Sequence, residues 1–145
     1  MHRFSRSAAL LIIVAMAALA GCSRGSAAPA PPSAPAHVTA GHHGTVSVVL
    51  TPLGAQQAGI RTAVAARVGR GSQAMVPYSA LLYQPDGSSV IYAVSGPLTY
   101  TLVPVAVASF QGTQVYLTGL APGTAVVTVG GEELLGVQDG VGVQT

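Results

Sequence analysis

Leu81-Leu82-Tyr83-Gln84-Pro85-Asp86-Gly87-Ser88-Ser89-Val90-Ile91-Tyr92-Ala93-Val94 sets two apolar runs on either side of a tight turn, and its reading decides the fold class. Proline presets its own backbone dihedral at the turn, and the glycine of Asp86-Gly87 accepts the positive φ that closes it. The flanking residues 80–83 and 90–94 are short and rich in β-branched and aromatic side chains, so the stretch predicts a hairpin.

The same punctuation continues in both directions. Residues 45–50, 73–77, 115–117, 125–129 and 134–137 read as further strands, the last trailing into a glycine-rich tail expected to fray. In residues 60–68, Ile60, Thr62 and Val64 alternate with Arg61, Ala63 and Ala65, which predicts the first set on the core and Arg61 in water or against a partner. Residues 98–108 form the longest strand candidate. Tyr100 and Leu102 share one face while Val103, Val105 and Val107 share the other, so a bulge or an edge position is expected at Pro104. Thr51-Pro52-Leu53-Gly54-Ala55-Gln56-Gln57-Ala58-Gly59 is the one helix predicted, with Thr51 as cap, Pro52 in the first helical position and Gly59 closing it. The expected fold is all-β: a small β-roll or barrel-like domain with one short helix over residues 45–145.

Ahead of that domain, Met1-His2-Arg3-Phe4-Ser5-Arg6 puts two positive charges before an apolar stretch at residues 8–20. That is the layout of a secretory signal peptide, and the stretch is short of the about 20 apolar residues that a spanning helix needs. It ends in Leu19-Ala20-Gly21-Cys22, which resembles the lipobox of bacterial lipoproteins. The resemblance implies a signal peptide over residues 1–21, cleavage before Cys22, and acylation of that thiol. Two acyl chains, at about 0.8 kcal/mol per buried methylene, anchor a protein stably where one does not. Cys22 is the only cysteine, so lipidation leaves no thiol for a disulfide or a metal. Residues 22–44 are then the lipidated cysteine and a linker rich in Pro and Ala, including Ala28-Pro29-Ala30-Pro31-Pro32-Ser33-Ala34-Pro35. Its composition reads as a disordered tether with a reach on the order of 65 Å when extended. The location implied is the extracytoplasmic side of a bacterial membrane, as periplasm or cell surface.

Past Cys22, Arg24, Arg61, Arg67 and Arg70 balance Asp86, Glu132, Glu133 and Asp139, and there is no lysine. Nucleic-acid binding is not expected, because neutralising phosphates takes clustered Lys or Arg. Residues 45–145 contain no histidine, cysteine or lysine, the usual bases for activating a nucleophile, so no enzyme and no cofactor are expected. Glu132 and Glu133 are neighbours, and neighbours in a strand point to opposite faces. Tyr78, Tyr83, Tyr92, Tyr100 and Tyr116 read as half-buried strand residues rather than a stacking platform.

Two stretches are similar to the periplasmic adaptor subunits, or membrane fusion proteins, of tripartite efflux systems. The first is Leu50-Thr51-Pro52-Leu53-Gly54-Ala55-Gln56-Gln57-Ala58-Gly59-Ile60-Arg61-Thr62, which resembles the entry into the folded core in the heavy-metal branch. The second runs from Val76-Pro77-Tyr78-Ser79-Ala80-Leu81-Leu82 through Val90-Ile91-Tyr92-Ala93-Val94 and Val103-Pro104-Val105 to Gly119-Leu120-Ala121-Pro122-Gly123-Thr124-Ala125-Val126-Val127. It resembles the membrane-proximal domain that closes those adaptors. In full-length adaptors a β-barrel, a lipoyl-like domain and a helical hairpin lie between the two segments; here only residues 68–73 do. Since that domain is built from both ends of an adaptor chain, losing the middle leaves one β-domain. The resemblance implies a non-catalytic accessory protein that binds an efflux permease and has no hairpin to meet an outer-membrane channel.

Arg61, Arg67 and Arg70 are the candidate partner-binding residues, as a positive edge for lipid head groups or acidic transporter loops. His37, His42 and His43 are the candidate metal ligands, since neutral imidazole binds zinc, copper or nickel. They give a rival reading, a metal-binding lipoprotein; a third is a structural envelope β-domain. Met75 is the only methionine beyond the leader, which leaves little for copper transfer.

Overall fold

The computed structural model describes residues 34–41 and 44–140. Its fold is mostly β, in two sheets with two helices, and neither sheet closes into a barrel. The expectation of an all-β domain holds at that level; the barrel-like form and the single helix do not.

The larger sheet is built from β1 (Ala36–Ala40), β2 (Val46–Leu50), β3 (Arg61–Val64), β6 (Leu82–Tyr83), β7 (Ser89–Gly96), β8 (Thr99–Pro104) and β11 (Ala125–Val129). Its order is β1-β2-β8-β7-β11-β3, with β6 pairing β7 beside that path. The smaller sheet has the order β4-β5-β10-β9, from β4 (Ala66–Arg67), β5 (Ala74–Pro77), β9 (Ala106–Gln111) and β10 (Gln114–Thr118). The chain passes from the larger sheet to the smaller across a single residue twice, β3 into β4 at Ala65 and β8 into β9 at Val105, and returns by longer connections from β5 to β6 and from β10 to β11.

The deciding hairpin forms as read. Leu82 pairs with Val90 and Tyr83 with Ser89, Gly87 takes φ 83°, and its N–H donates to the Gln84 carbonyl at 2.9 Å. Asp86 adds a brace: its Oδ1 accepts from the Ser88 N–H at 2.8 Å, and hydrogen bonding from Ser88 holds this carboxyl below its ordinary range. The phase change in residues 98–108 is the sheet crossing itself. Tyr100 and Leu102 pack on one core while Val103, Val105 and Val107 pack on the other.

Those two cores make three layers. One lies between the sheets, with Ile91, Ala93 and Val126 facing Val76, Val115 and Leu117. The other lies between the larger sheet and the helices, around Val48, Val90, Tyr92, Val127 and Leu134. β7 is therefore buried on both faces, which explains why Val90-Ile91-Tyr92-Ala93 is a continuous apolar run rather than an alternating one. Each large side chain so buried contributes about 1.5–3 kcal/mol.

Helix α1 (Pro52–Ala58) begins and ends as the sequence predicts. Thr51 accepts from the Gly54 N–H at 3.0 Å, Pro52 opens the first turn, and Gly59 closes it at φ 59°. Residues 134–137 do not form a strand; they lie in a second helix, α2 (Gly131–Gln138). A short Leu-Leu run suits either state, and here Glu132 and Glu133 in the first turn and burial of Leu134 select the helix. The glycine-rich tail past residue 140 lies outside the described residues.

Two further expectations are corrected. Residues 36–40 are not tether: β1 pairs with β2 along its whole length, from Ala36 with Leu50 to Ala40 with Val46, and Ala36 is buried. The segment Ala-His-Val-Thr-Ala contains no proline, so it can join a ladder that the preceding prolines cannot. In residues 60–68, the predicted inward face is reversed at Val64, which is 65% exposed, while Ala65 is buried. Ala63 lies opposite Val126, whose side chain is in the inter-sheet core. At this crossing the sheets come together, so alanines fit inward and the larger Val64 turns out. Arg61 is exposed, as expected.

Candidate functional site

The three candidate arginines are exposed and stand on three different elements. Arg61 begins β3 on the larger sheet, opposite Val129. Arg67 ends β4 on the smaller sheet, opposite Ala74, and Arg70 stands in the turn that follows. Arg61 and Arg67 thus stand on different sheets, separated by at most about 20 Å, the length of six extended residues. Arg61 stands over a shallow hollow of about 540 Å³ floored by Pro52, Ala55, Ile60 and Leu98. Leu98 is the one non-glycine residue with positive φ among the described residues, at 52°. Its carbonyl accepts from the Leu50 N–H at 2.9 Å, so the β7–β8 turn is tied to the start of α1. A branched side chain in that region costs about 1–2 kcal/mol, and the hollow is therefore held at some expense of backbone strain.

His37 lies on β1, paired opposite Val49, with its side chain exposed. His42, His43, Cys22 and the leader lie outside the described residues. Among the described residues no group of three or more His, Cys, Asp or Glu is arranged to hold a metal ion.

A larger cleft, of about 650 Å³, opens between β6, the end of β11, the start of α2 and a 3-10 turn at Tyr78–Ala80. Tyr78, Tyr83, Glu132 and Glu133 line it. The tyrosines do not behave as one class. Tyr92 and Tyr100 are buried and their phenols pushed up by burial, Tyr92 further by the charge of Asp139, whereas Tyr78 and Tyr83 are 52% and 51% exposed. Glu132 and Glu133 both line the cleft, contrary to the opposite-face reading, because they sit in a helical first turn. Carboxylates there are stabilised by the backbone N–H groups of the helix N-terminus. Sequence reading missed this cleft because it needs the strand at residues 134–137 to be a helix; the pair of glutamates after Gly130-Gly131 was its only local signal.

A smaller apolar crevice of about 230 Å³ separates α1 from α2, lined by Ala36, Leu50, Gly54, Ala58, Leu134 and Val137. Exposed apolar side chains include Val64 on the edge strand β3, opposite Ala125, Val129 on β11, opposite Arg61, and Leu53 on α1. No helix among the described residues is long and apolar enough to cross a membrane. No family model, curated protein or solved structure matches the chain.

Proposed function

We propose that the protein is a non-catalytic, lipid-anchored accessory subunit whose β-domain binds the extracytoplasmic side of an efflux transporter. In this reading the leader is removed, acylated Cys22 holds the chain on the membrane, and the proline-rich tether runs up to Pro35, where Thr51 takes hold of the chain through its N–H at 2.9 Å. Two sheets under a pair of helices then form a roll-like unit, and its free β3 edge, on which Arg61 and Val64 are exposed, is the contact strand.

The observation that carries the reading is the pairing of β3 with β11, Thr62 opposite Val127. It joins the end of the first adaptor-like segment to the second in one sheet, although only residues 68–73 separate those segments in sequence. Such a domain needs no insert to close. Tethering to the membrane raises its effective concentration at a permease, so a weak contact surface is enough.

Isolation of the full protein from its own membranes in mild detergent tests this. A polytopic permease is expected with it, and Cys22→Ser is expected to reduce its recovery by a factor of ten or more. Recovery of the acylated protein with no permease, under conditions that keep other transporter complexes whole, overturns the reading.

A further inference from the structure

We propose that the cleft between β6 and the start of α2 is a binding site for a small organic cation, an ammonium group carried on an apolar body. Nothing in this depends on the transporter reading.

The cleft holds about 650 Å³, within the range of about 300–1,000 Å³ common for small-molecule sites. Leu82 from β6 and Leu135 from α2 give it apolar lining. A Cβ at Gly131 would meet the Leu82 side chain at 3.1 Å, so glycine at this position lets α2 start close against β6. The next two residues, Glu132 and Glu133, are thereby brought to the cleft, and both are exposed.

Tyr78 and Tyr83 stand at the same cleft, each about half exposed and each on a backbone already held in place. The Tyr78 N–H donates to the Thr113 carbonyl at 2.8 Å, and its own carbonyl accepts from the Leu81 N–H at 3.0 Å. Its ring is braced edge-on by Phe110 at 5.9 Å. Tyr83 is fixed opposite Ser89 in the hairpin. Aromatic groups on a preset backbone cost less ordering entropy when a ligand arrives.

Charge decides what the cleft takes. No cation is among its lining residues. The N-terminus of α2 supplies roughly half a positive charge against two full negative ones on Glu132 and Glu133, so the local field attracts a cation and repels an anion. A divalent metal ion is poorly served, because it takes roughly six or more oxygen ligands and among the described residues no third acid joins the pair. A singly charged ammonium needs less: a carboxylate for its charge and an aromatic face within about 6 Å. Carboxylates alone would hold any cation weakly; the tyrosines and the leucines are what select an organic one.

Titration of the full chain in a nonionic detergent with benzyltrimethylammonium, followed by amide NMR shifts, tests this. Saturable shifts confined to residues 78–83 and 128–135 are expected. Benzyl alcohol and benzenesulfonate share the ring without the positive charge, and they are expected to bind at least about ten-fold more weakly. Glu132→Gln combined with Glu133→Gln is expected to erase most of that advantage. Tyr83→Phe, which keeps the ring, is expected to bind the cation about three-fold or more tightly than Tyr83→Leu. No saturation by about 10 mM, equal binding of the neutral or anionic compound, shifts centred elsewhere, or wild-type affinity in the double-glutamine variant overturns the proposal. Should that variant fail to fold, the two Tyr83 variants decide it: equal affinities for the cation refute the site.

Discussion

Gly54 sits inside α1, where an exposed glycine replaced by alanine gains about 1 kcal/mol of helix stability. The opposite result is expected here. Gly54 is buried, and a Cβ at this position collides with the Pro35 carbonyl. That carbonyl is not free to move, because it accepts from the Thr51 N–H at 2.9 Å and from its hydroxyl at 3.2 Å. Relief of the clash means losing one or both of those bonds, at about 0.5–1.5 kcal/mol each, or lifting α1 from the sheet, for which overpacking costs about 1–3 kcal/mol. After the propensity gain, Gly54→Ala is expected to be destabilising by about 1–2 kcal/mol. Urea unfolding of the full chain reads the value, with Gln56→Ala on the exposed side of the same helix as a control expected within about 0.5 kcal/mol of wild type. Hydrogen exchange locates it: amides of the β1–β2 ladder lose protection while those of β5–β10 keep theirs. A Gly54→Ala protein more stable by about the propensity increment would mean that Pro35 does not cross α1, and that β1 is not part of the sheet.

Leu134→Ala, which empties a fully buried position under α2, is expected to cost about 2–5 kcal/mol by urea unfolding; a change below 1 kcal/mol would return residues 131–138 to the surface. Tyr92 is buried, its hydroxyl donates to Gln138 Oε1 at 2.9 Å, and its phenol is held above the ordinary value of 10.0 by burial and then by Asp139. The folded state thus keeps a proton that the unfolded chain releases, so stability is full below pH 10 and falls as pH rises beyond it. Tyr92→Phe is expected to lose about 1 kcal/mol at neutral pH and to show a shallower decline above pH 10 in unfolding titrations; an unchanged slope would refute the assignment.

How much was readable follows from how local each signal is. Pro85-Asp86-Gly87 and Thr51-Pro52 with Gly59 carry their geometry in three or four residues, and they form as read. The facing of Tyr100 against Val103 is a period-two pattern, and the structure keeps it by letting the strand change sheets at Pro104 and Val105. β1 was hidden because composition averages over residues 22–44, and five residues without proline vanish beside the prolines around them. Val64 was misplaced because alternation does not say which phase faces in; the close approach of two sheets chose the alanines. The cleft at Tyr78, Tyr83, Glu132 and Glu133 depends on α2, whose helical state is fixed by the burial of Leu134 against a sheet that only long-range pairing creates.

In the proposed function a membrane-held β-domain touches a transporter through its β3 edge. Photocrosslinking from Arg61 and from Val64, in cells that make the protein at its natural level, measures that contact where it occurs. A crosslinked product containing a polytopic efflux permease, strong from these positions and weak when Cys22 is replaced by Ser, is the expected result. Crosslinks only to soluble proteins or to lipid, with no integral membrane transporter from either position, would contradict the account.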